Sequence, residues 1–269
     1  MPGTNEVVMT ENKWGRPISV EEAFKFVRSD DRSTKHDGDN YIPSNKLYID
    51  CGNGQQIPIK EARRFTRSEM MILEMLQNIA KDGWKRPIYF ACTVGSDYYL
   101  GLEPYFEITG LANRITPYRS PDGQPRVNTE LMYENMMHKF RYGNMNQPGI
   151  WIDENLMRMC RTHRMMFAQL AEALIRENQR DKALEVLNYA EEVLPEYNIP
   201  YETTSITMAQ LYRYLDENEK ADYMLQRVAQ NSLEYLQWGQ TLSREQRKAA
   251  ESLLQQHQSI YDYVNRLMR

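Results

Sequence analysis

The fold of this chain is decided by residues 164–195, which read RMMFAQLAEALIRENQRDKALEVLNYAEEVLP. Apolar side chains recur there at helical spacing on both sides of a polar break at residues 177–180, so the stretch predicts two amphipathic helices joined by a short turn. Ala171 and Ala183 stand where the helices would cross, and their methyl groups let the two backbones approach. The other matched positions are Phe167, Leu170, Leu174, Leu187, Ala190 and Pro195. The stretch therefore predicts a helical hairpin, and it predicts no chemistry.

This spacing resembles the tetratricopeptide repeat, a helix–turn–helix unit of about 34 residues. A second, weaker copy is expected over residues 202–233, because Lys220-Ala221 repeats Lys182-Ala183. Its matching positions are Ser205, Met208, Ala209, Tyr212, Leu225 and Val228. Two repeats are fewer than the roughly three that usually bury a continuous core. Flanking helices, the last of them over residues 244–268, are therefore expected to cap the stack.

Composition and charge describe an ordinary globular protein. Hydrophobic residues make up 41% of the chain and charged residues 26%, which excludes a disordered chain. The net charge of −4 gives no support for a nucleic-acid partner, since such proteins usually carry a basic face. No apolar run reaches the roughly 18 residues of a membrane span, so none is expected within this chain.

The N-terminal half reads as a small mixed α/β layer. Ser19 and Glu22 predict a capping box that opens a short helix. Strands are expected over residues 46–51 and 55–60, joined by a hairpin turn at Gly52-Asn53-Gly54.

Ser68 is then expected to cap a helix that Asp82-Gly83 ends. The apolar run at residues 87–94 predicts a strand buried on both faces, and the order strand, helix, strand predicts a right-handed parallel crossover. Another strand is expected within residues 111–118.

Prolines at 117, 121 and 125 mark the expected domain boundary, because proline continues neither a helix nor a central strand. Beyond it, Asn128 or Thr129 opens a helix that ends at Gly143, and Asp153 caps a long helix that runs into the first repeat. We therefore expect an α+β, mainly helical fold. It has a mixed α/β domain at residues 1–125 and a helical domain at residues 126–269, with two tetratricopeptide-like repeats (164–195 and 202–233) and flanking capping helices.

Neither a metal site nor a cofactor site is expected. Asp37 and Asp39 around Gly38 lack the ligand spacing of a calcium loop. Cys160 and His163 lie three residues apart on one helical face, but zinc needs three or four ligands. The cysteines at 51, 92 and 160 are too sparse for a disulfide framework and read as buried thiols, although one pair within reach of each other stays open.

Several short blocks resemble large bacterial membrane proteins of domain of unknown function family 2723, which is related to protein O-mannosyltransferases. The blocks are Trp84-Lys85-Arg86-Pro87-Ile88-Tyr89-Phe90-Ala91, Tyr99-Leu100-Gly101-Leu102, Gly110-Leu111-Ala112, the segment 136–144 and Asp153-Glu154-Asn155, together with the repeat that contains Ala183. The resemblance spans residues 41–238, and its glycosyl-transfer portion has no counterpart in this sequence. It implies the periplasmic, extracytoplasmic tail of a membrane glycosyltransferase-like protein, and it transfers no catalytic residue.

The leading functional hypothesis is a non-catalytic protein-interaction scaffold, because stacked repeats bind extended peptides along the face lined by their first helices. The side chains expected in that groove are Met165, Glu172, Arg176, Gln210, Arg213 and Tyr214. The partner would be a protein or peptide, or the membrane-embedded part of the parent chain.

Two alternatives stay open. The first is a small-molecule or carbohydrate-processing enzyme with its cleft in the α/β half, where Asp97, Tyr98, Tyr99 and Glu103 follow the expected buried strand. The second is a free-standing cytoplasmic tetratricopeptide adaptor, which membrane spans upstream in the gene would exclude.

Overall fold

The fold is α+β and mainly helical, as expected. The computed structural model describes residues 7–29, 35–36, 39–52 and 54–269. Its backbone contacts divide the chain into two compact units, Met1–Asn128 and Thr129–Arg269.

The first unit contains short strands arranged in three sheets within the described residues. The strands are β1 (Val7–Thr10), β2 (Ile18–Ser19), β3 (Lys35–His36), β4 (Asp39–Ile42), β5 (Leu47–Asp50), β6 (Gln56–Pro58), β7 (Arg64–Thr66), β8 (Tyr89–Ala91), β9 (Phe106–Ile108), β10 (Ala112–Ile115) and β11 (Arg126–Val127). The sheet orders are β3-β4-β1-β7, β2-β5-β6 and β11-β9-β10-β8. Parallel pairs join β1 to β4, β2 to β5 and β9 to β11, and the other pairs are antiparallel.

Two helices, α1 (Val20–Val27) and α2 (Arg67–Lys81), pack against strands of the sheets β3-β4-β1-β7 and β2-β5-β6. The Ser19 hydroxyl accepts from the Glu22 backbone N–H at 3.0 Å, so Ser19 is confirmed as the cap of α1. The reciprocal half of the predicted capping box is wrong, because the Glu22 carboxylate binds Arg16 at 2.9 Å. The predicted cap Ser68 is wrong. α2 begins after Thr66, which forms a reciprocal capping box with Glu69. The Glu69 carboxylate accepts from the Thr66 backbone N–H, and the Thr66 hydroxyl accepts from the Glu69 backbone N–H, so two backbone donors at the helix start are satisfied.

The predicted parallel crossover is also wrong. β6 pairs antiparallel with β5, whereas β8 pairs antiparallel with β10 in a different sheet. The reason is the end of α2, where Gly83 and Trp84 both take positive φ and turn the chain away from the β5–β6 hairpin. The apolar run also forms only a three-residue strand, in which Phe90 is buried and Tyr89 is 46% exposed, so it is not buried on both faces.

The β5–β6 hairpin and a strand within residues 111–118 are confirmed by β5, β6 and β10. Asn53 of the predicted turn, and Asp37 and Gly38 of the rejected calcium loop, lie outside the described residues. The core of this unit is a continuous aliphatic and aromatic cluster that includes Ile18, Ile42, Ile49, Ile57, Phe65, Leu73, Leu76 and Phe106.

The second unit is helical. Its helices are α3 (Thr129–Tyr133), α4 (Glu154–Arg176), α5 (Arg180–Val193), α6 (Thr203–Tyr214), α7 (Asn218–Thr241), α8 (Arg244–Ala249) and α9 (Glu251–Leu267). α3 continues as a π-helical stretch, Glu134–Lys139, and ends before Phe140, so the prediction that this helix reaches Gly143 is wrong. The expected last helix is broken at Ala250, which separates α8 from α9.

The predicted helical hairpins are confirmed. α4 packs against α5, and α6 packs against α7. Ala171 and Ala183 in the first pair, and Ala209 and Ala221 in the second, are all 0% exposed. Within the first hairpin Phe167, Leu170, Leu174 and Leu187 are buried around the contact. The small residues therefore lie where close helix packing needs them, while Leu156 is exposed at the start of α4.

Arg164 is buried in α4, a feature that the hydrophobic pattern does not show. Its side chain is 2% exposed and donates to the backbone carbonyls of Leu194 at 2.8 Å, Pro200 at 2.9 Å and Ile199 at 2.5 Å. Its guanidinium also lies 5.0 Å from the centre of the Tyr201 ring. The segment between α5 and α6 links the two hairpins, and Arg164 therefore holds this segment against α4.

The cysteines at 51, 92 and 160 are free thiols. His163 accompanies Cys160 on α4, and its Nδ1 lies 2.7 Å from the Met159 carbonyl oxygen, as for a hydrogen-bonded core histidine. Within the described residues, no helix has both the length and the apolar composition that crossing a membrane requires.

Candidate functional site

The groove residues predicted on α4 lie along one face of that helix. Met165 is 48% exposed, and the Glu172 carboxylate pairs with Arg176 one turn later at 2.6 Å. An exposed pair of this kind contributes little to stability, so both side chains are available to a partner.

The groove residues predicted on α6 are bonded within the chain. Gln210 donates to the Tyr263 hydroxyl of α9 at 3.4 Å. Arg213 donates to the Leu267 carbonyl at the end of α9 and to Asp222 of α7, each at 2.6 Å. Arg213 therefore binds the C-terminal end of α9, where a cation is favoured by the helix dipole.

Tyr214 ends α6 with its ring 59% exposed, beside the Arg180 guanidinium at 5.3 Å. Arg180 in turn donates to the Tyr214 carbonyl at 3.0 Å and pairs with Asp216 at 2.8 Å. The six predicted residues thus belong to the layer formed by α4 and α6, which pack against each other, and Met165 and Tyr214 are its exposed large hydrophobic members. Their role in binding stays a prediction.

A cleft of about 850 Å³ opens beside this layer, between α4, α6, α7 and α9. α6 has 12 residues, whereas α4 has 23 and α7 has 24. At about 1.5 Å per residue, α6 is roughly 18 Å long and its neighbours are roughly 35 Å long. The early turns of α4 and the late turns of α7 therefore extend past the start of α6, and the segment 200–203 forms the floor between them.

One wall of the cleft is aromatic. Tyr235 and Trp238 on α7 are both 45% exposed, and Leu253 on α9 is 37% exposed. The Tyr235 ring stacks on His257 with 3.9 Å between the centroids and 11° between the planes. Half-exposed rings that are held in place offer a large contact area at little cost in conformational entropy.

The other wall is acidic. Glu154 of α4 and Glu202 before α6 both pair with Arg161, at 3.4 Å and 2.7 Å, while Glu234 adds a third carboxylate to the lining from α7, the helix of the aromatic wall. The Nε of Arg161 is buried without a hydrogen-bond partner among the described residues. Three carboxylates and one guanidinium leave the cleft with an excess of two negative charges when His257 is neutral.

His257 is held in that neutral form. Burial lowers the pKa of His257 below its ordinary value, against a smaller opposing effect of Glu202. Its Nδ1 lies 3.3 Å from the Ser232 hydroxyl oxygen. The imidazole therefore serves as a stacked, hydrogen-bonded part of the aromatic wall at neutral pH.

The sequence reasoning missed this cleft, because the second repeat was expected to end at residue 233. Tyr235 and Trp238 stand three positions apart just beyond that end, as two aromatic residues on one helical face do. A continued helical pattern with large side chains past the repeat boundary was the available signal.

The residues of the enzyme alternative lie elsewhere. Asp97 and Tyr98 belong to a single 3₁₀ turn, Ser96–Tyr98, and Glu103 starts another, Glu103–Tyr105. The Tyr99 hydroxyl donates to the Val94 carbonyl at 2.8 Å, and its ring packs edge-on against Phe106. Tyr99 is thus a structural residue of the first unit, and the enzyme alternative gains no support from its position.

Residues 53–131 match the family model of TMEM260-associated domain 2, so this stretch is similar to a domain associated with a membrane protein. The match covers less than a third of the chain and lies almost wholly in the first unit. No curated protein and no solved structure matches the chain. The finer resemblance to family 2723 and the tetratricopeptide assignment stay predictions.

Proposed function

We propose that this chain is a non-catalytic protein-interaction region that binds a peptide segment of a partner, as the extracytoplasmic part of a membrane glycosyltransferase-like protein. The observation that carries the proposal is the cleft between α4, α6, α7 and α9, where a half-exposed aromatic wall faces an acidic one. Helical hairpins with buried small residues at their contacts support the tetratricopeptide assignment, and such stacks bind peptides.

The charge of the cleft favours one class of peptide. Two negative charges in excess attract Lys or Arg, and the exposed faces of Tyr235 and Trp238 accept an apolar or cationic side chain. We therefore infer a ligand that carries a basic residue next to an aromatic or aliphatic one.

The predicted groove continues from this cleft along α4. Arg161, which lines the cleft, is followed on the same helical face by Met165, Glu172 and Arg176 at spacings of four, seven and four residues. A peptide anchored in the cleft would run along that face towards Tyr214. On this proposal the cleft binds the anchoring residues of the peptide, and the predicted groove residues contact the part of the peptide that continues beyond the cleft.

The similarity to a membrane-protein-associated domain supports a role beside a membrane protein. On this proposal the peptide belongs to an extracytoplasmic partner or to the membrane-embedded part of the parent chain. The cytoplasmic adaptor would use the same cleft, and only the location of the chain would differ.

Binding of labelled peptides to the full chain tests the proposal. Two sets of short fluorescein-labelled peptides, random except for a fixed Lys-Trp or Glu-Trp pair, are compared by fluorescence anisotropy at low salt. We expect Lys-Trp peptides to bind about tenfold more tightly, a difference of about 1.4 kcal/mol. Tyr235→Ala should weaken that binding about tenfold, because hot-spot aromatics carry much of the binding energy.

Matched controls separate the cleft from the rest of the surface. Tyr98→Ala removes a tyrosine of similar exposure in the first unit and should change nothing. Glu234→Lys should weaken Lys-Trp binding, whereas Glu219→Lys, an exposed change in the first turn of the same helix, should not. Equal affinity for the two peptide sets, or equal losses in the two charge variants, would overturn the proposal.

A further inference from the structure

The first unit contains a second cleft, which the proposed function does not use. It has a volume of about 630 Å³ and lies over the sheet β11-β9-β10-β8. The strand register places Arg126, Glu107 and Arg114 side by side across three neighbouring strands. Directly opposed residues point to the same face of a sheet, so the three charged side chains form one row. The next pair, Phe106 and Ile115, is buried on the core side.

Glu107 holds the two arginines in this row. Its side chain is only 15% exposed, and its two carboxylate oxygens lie 3.4 Å from Arg126 Nη2 and 3.8 Å from Arg114 Nη1. Each distance involves one nitrogen of a guanidinium group, so Glu107 does not use the remaining donors of Arg114 and Arg126. Arg86 lines the same cleft from the segment before β8. Its side chain is 75% exposed, and its ion pair among the residues that the structure describes is with Asp82, at 3.9 Å. Three guanidinium groups and one carboxylate give the lining an excess of two positive charges.

Two buried donors in the lining have no hydrogen-bond partner among the described residues, Arg114 Nε and Trp84 Nε1. Burial raises the pKa of the Cys51 thiol, and the nearby Trp84 indole N–H has a smaller, lowering effect on that pKa. The indole N–H nevertheless makes no hydrogen bond of ordinary geometry among the described residues. Buried polar groups in native proteins are nearly always paired. The backbone at Trp84 is fixed, because the N–H groups of Gly83 and Trp84 close the end of α2 on the carbonyls of Ala80 and Ile79, each at 3.0 Å.

We propose that this cleft binds a phosphate group, carried by a small molecule or by a lipid headgroup. Guanidinium groups match the oxygens of phosphate, and the two excess positive charges balance a phosphate monoester dianion. Arg114 and Arg126 would bind its oxygens from the sheet, and Arg86 would approach from the rim. Arg114 Nε would donate a charged hydrogen bond to the phosphate, and the Trp84 indole N–H would donate a neutral one. Both donors are unpaired among the described residues. Glu107, already compensated by two arginines, would keep their planes in place.

Titration of the full chain with phenyl phosphate, followed by isothermal calorimetry in a low-salt buffer, tests this proposal. We expect saturable binding. Arg114→Gln and Arg126→Gln should each raise the dissociation constant about tenfold, and Trp84→Phe, which keeps a ring and removes the N–H, should raise it several-fold. Arg63→Gln makes the same charge change at an exposed position of the same unit and should leave binding unchanged.

Sedimentation with vesicles distinguishes the two sources of phosphate. Vesicles of phosphatidylcholine with phosphatidic acid are compared with phosphatidylcholine alone. Retention that Arg114→Gln abolishes identifies a lipid phosphate, and phenyl phosphate binding without retention identifies a soluble one; both support the site. The proposal would be overturned if neither phenyl phosphate nor phosphatidic acid vesicles showed saturable binding. It would also be overturned if Arg63→Gln and Arg114→Gln weakened phosphate binding equally. Glu234→Lys lies in the other unit and should not change phosphate binding, so this proposal and the peptide proposal fail separately.

Discussion

Arg164 shows how much of the structure can depend on one residue. It is a buried cation that makes no ion pair within the described part of the chain, and burial lowers its pKa to about 10, so it stays charged at neutral pH. Three backbone carbonyls accept its donors, those of Leu194, Ile199 and Pro200, and Pro200 lines the floor of the cleft in the helical unit. Arg164 thus connects the packing of α4 to the shape of the candidate site.

Arg164→Met should cost about 3–5 kcal/mol of unfolding free energy, because buried carbonyls lose donors worth roughly 1.5–3 kcal/mol each and cannot all recover them. Arg164→Lys should recover only part of this loss, since one ammonium group cannot replace a planar fork of donors. Urea unfolding followed by circular dichroism measures both. The control Arg158→Met, exposed on the same helix, should stay within about 0.5 kcal/mol. A shared unfolding midpoint for the variants at 158 and 164 would refute the structural role of Arg164.

His257 makes the stability of the second unit depend on pH. Burial lowers its pKa in the folded chain, so the unfolded chain binds the proton more readily. Stability from this group is present above its ordinary pKa of about 6.5 and is lost as pH falls below that value. His257→Gln should therefore flatten the fall in unfolding free energy between about pH 7 and pH 5. His138→Gln changes an exposed histidine of the same unit, and its unfolding free energy should fall with pH as steeply as that of the unmodified chain. Identical slopes for the two variants would contradict the assignment.

At the scale of elements, the close contact between α4 and α5 depends on small side chains. Ala183 is 0% exposed and faces the first helix of its hairpin. Ala183→Leu should overpack this contact and cost about 1–3 kcal/mol of unfolding free energy. Glu192→Leu introduces the same side chain at an exposed position of α5 and should cost less than about 0.5 kcal/mol. If thermal unfolding shows the same melting temperature for both variants, the helix contact has been assigned to the wrong face.

Helix length is the second element-scale property, and it creates the cleft in the helical unit. A short α6 between a long α4 and a long α7 leaves an opening where their ends extend past it. The contact between α7 and α9 completes the opening, with Leu254 of α9 seated against the bare backbone of Gly239. An added methyl group at Gly239 would lie 2.5 Å from the Leu254 side chain, so glycine permits this close approach.

At the scale of the whole molecule, two compact units carry two clefts of opposite charge. The cleft in the helical unit has an excess of negative charge, and the cleft in the α/β unit has an excess of positive charge. A basic peptide and a phosphate group would therefore not compete for one site. This separation allows each proposal to be tested in the full chain with variants in the other unit as controls.

The sequence by itself determined the helical hairpins, their buried alanines, the caps at Ser19 and Asp153 and the α+β, mainly helical class. These features are local or periodic, so spacing along the chain is enough to predict them. Only the tertiary structure decided which strands pair, where Arg164 is buried and how the two clefts form. Those depend on where Gly83 and Trp84 send the chain after α2 and on which helix ends extend past their neighbours. Contacts between residues far apart in sequence set both, and a periodic pattern carries no information about them.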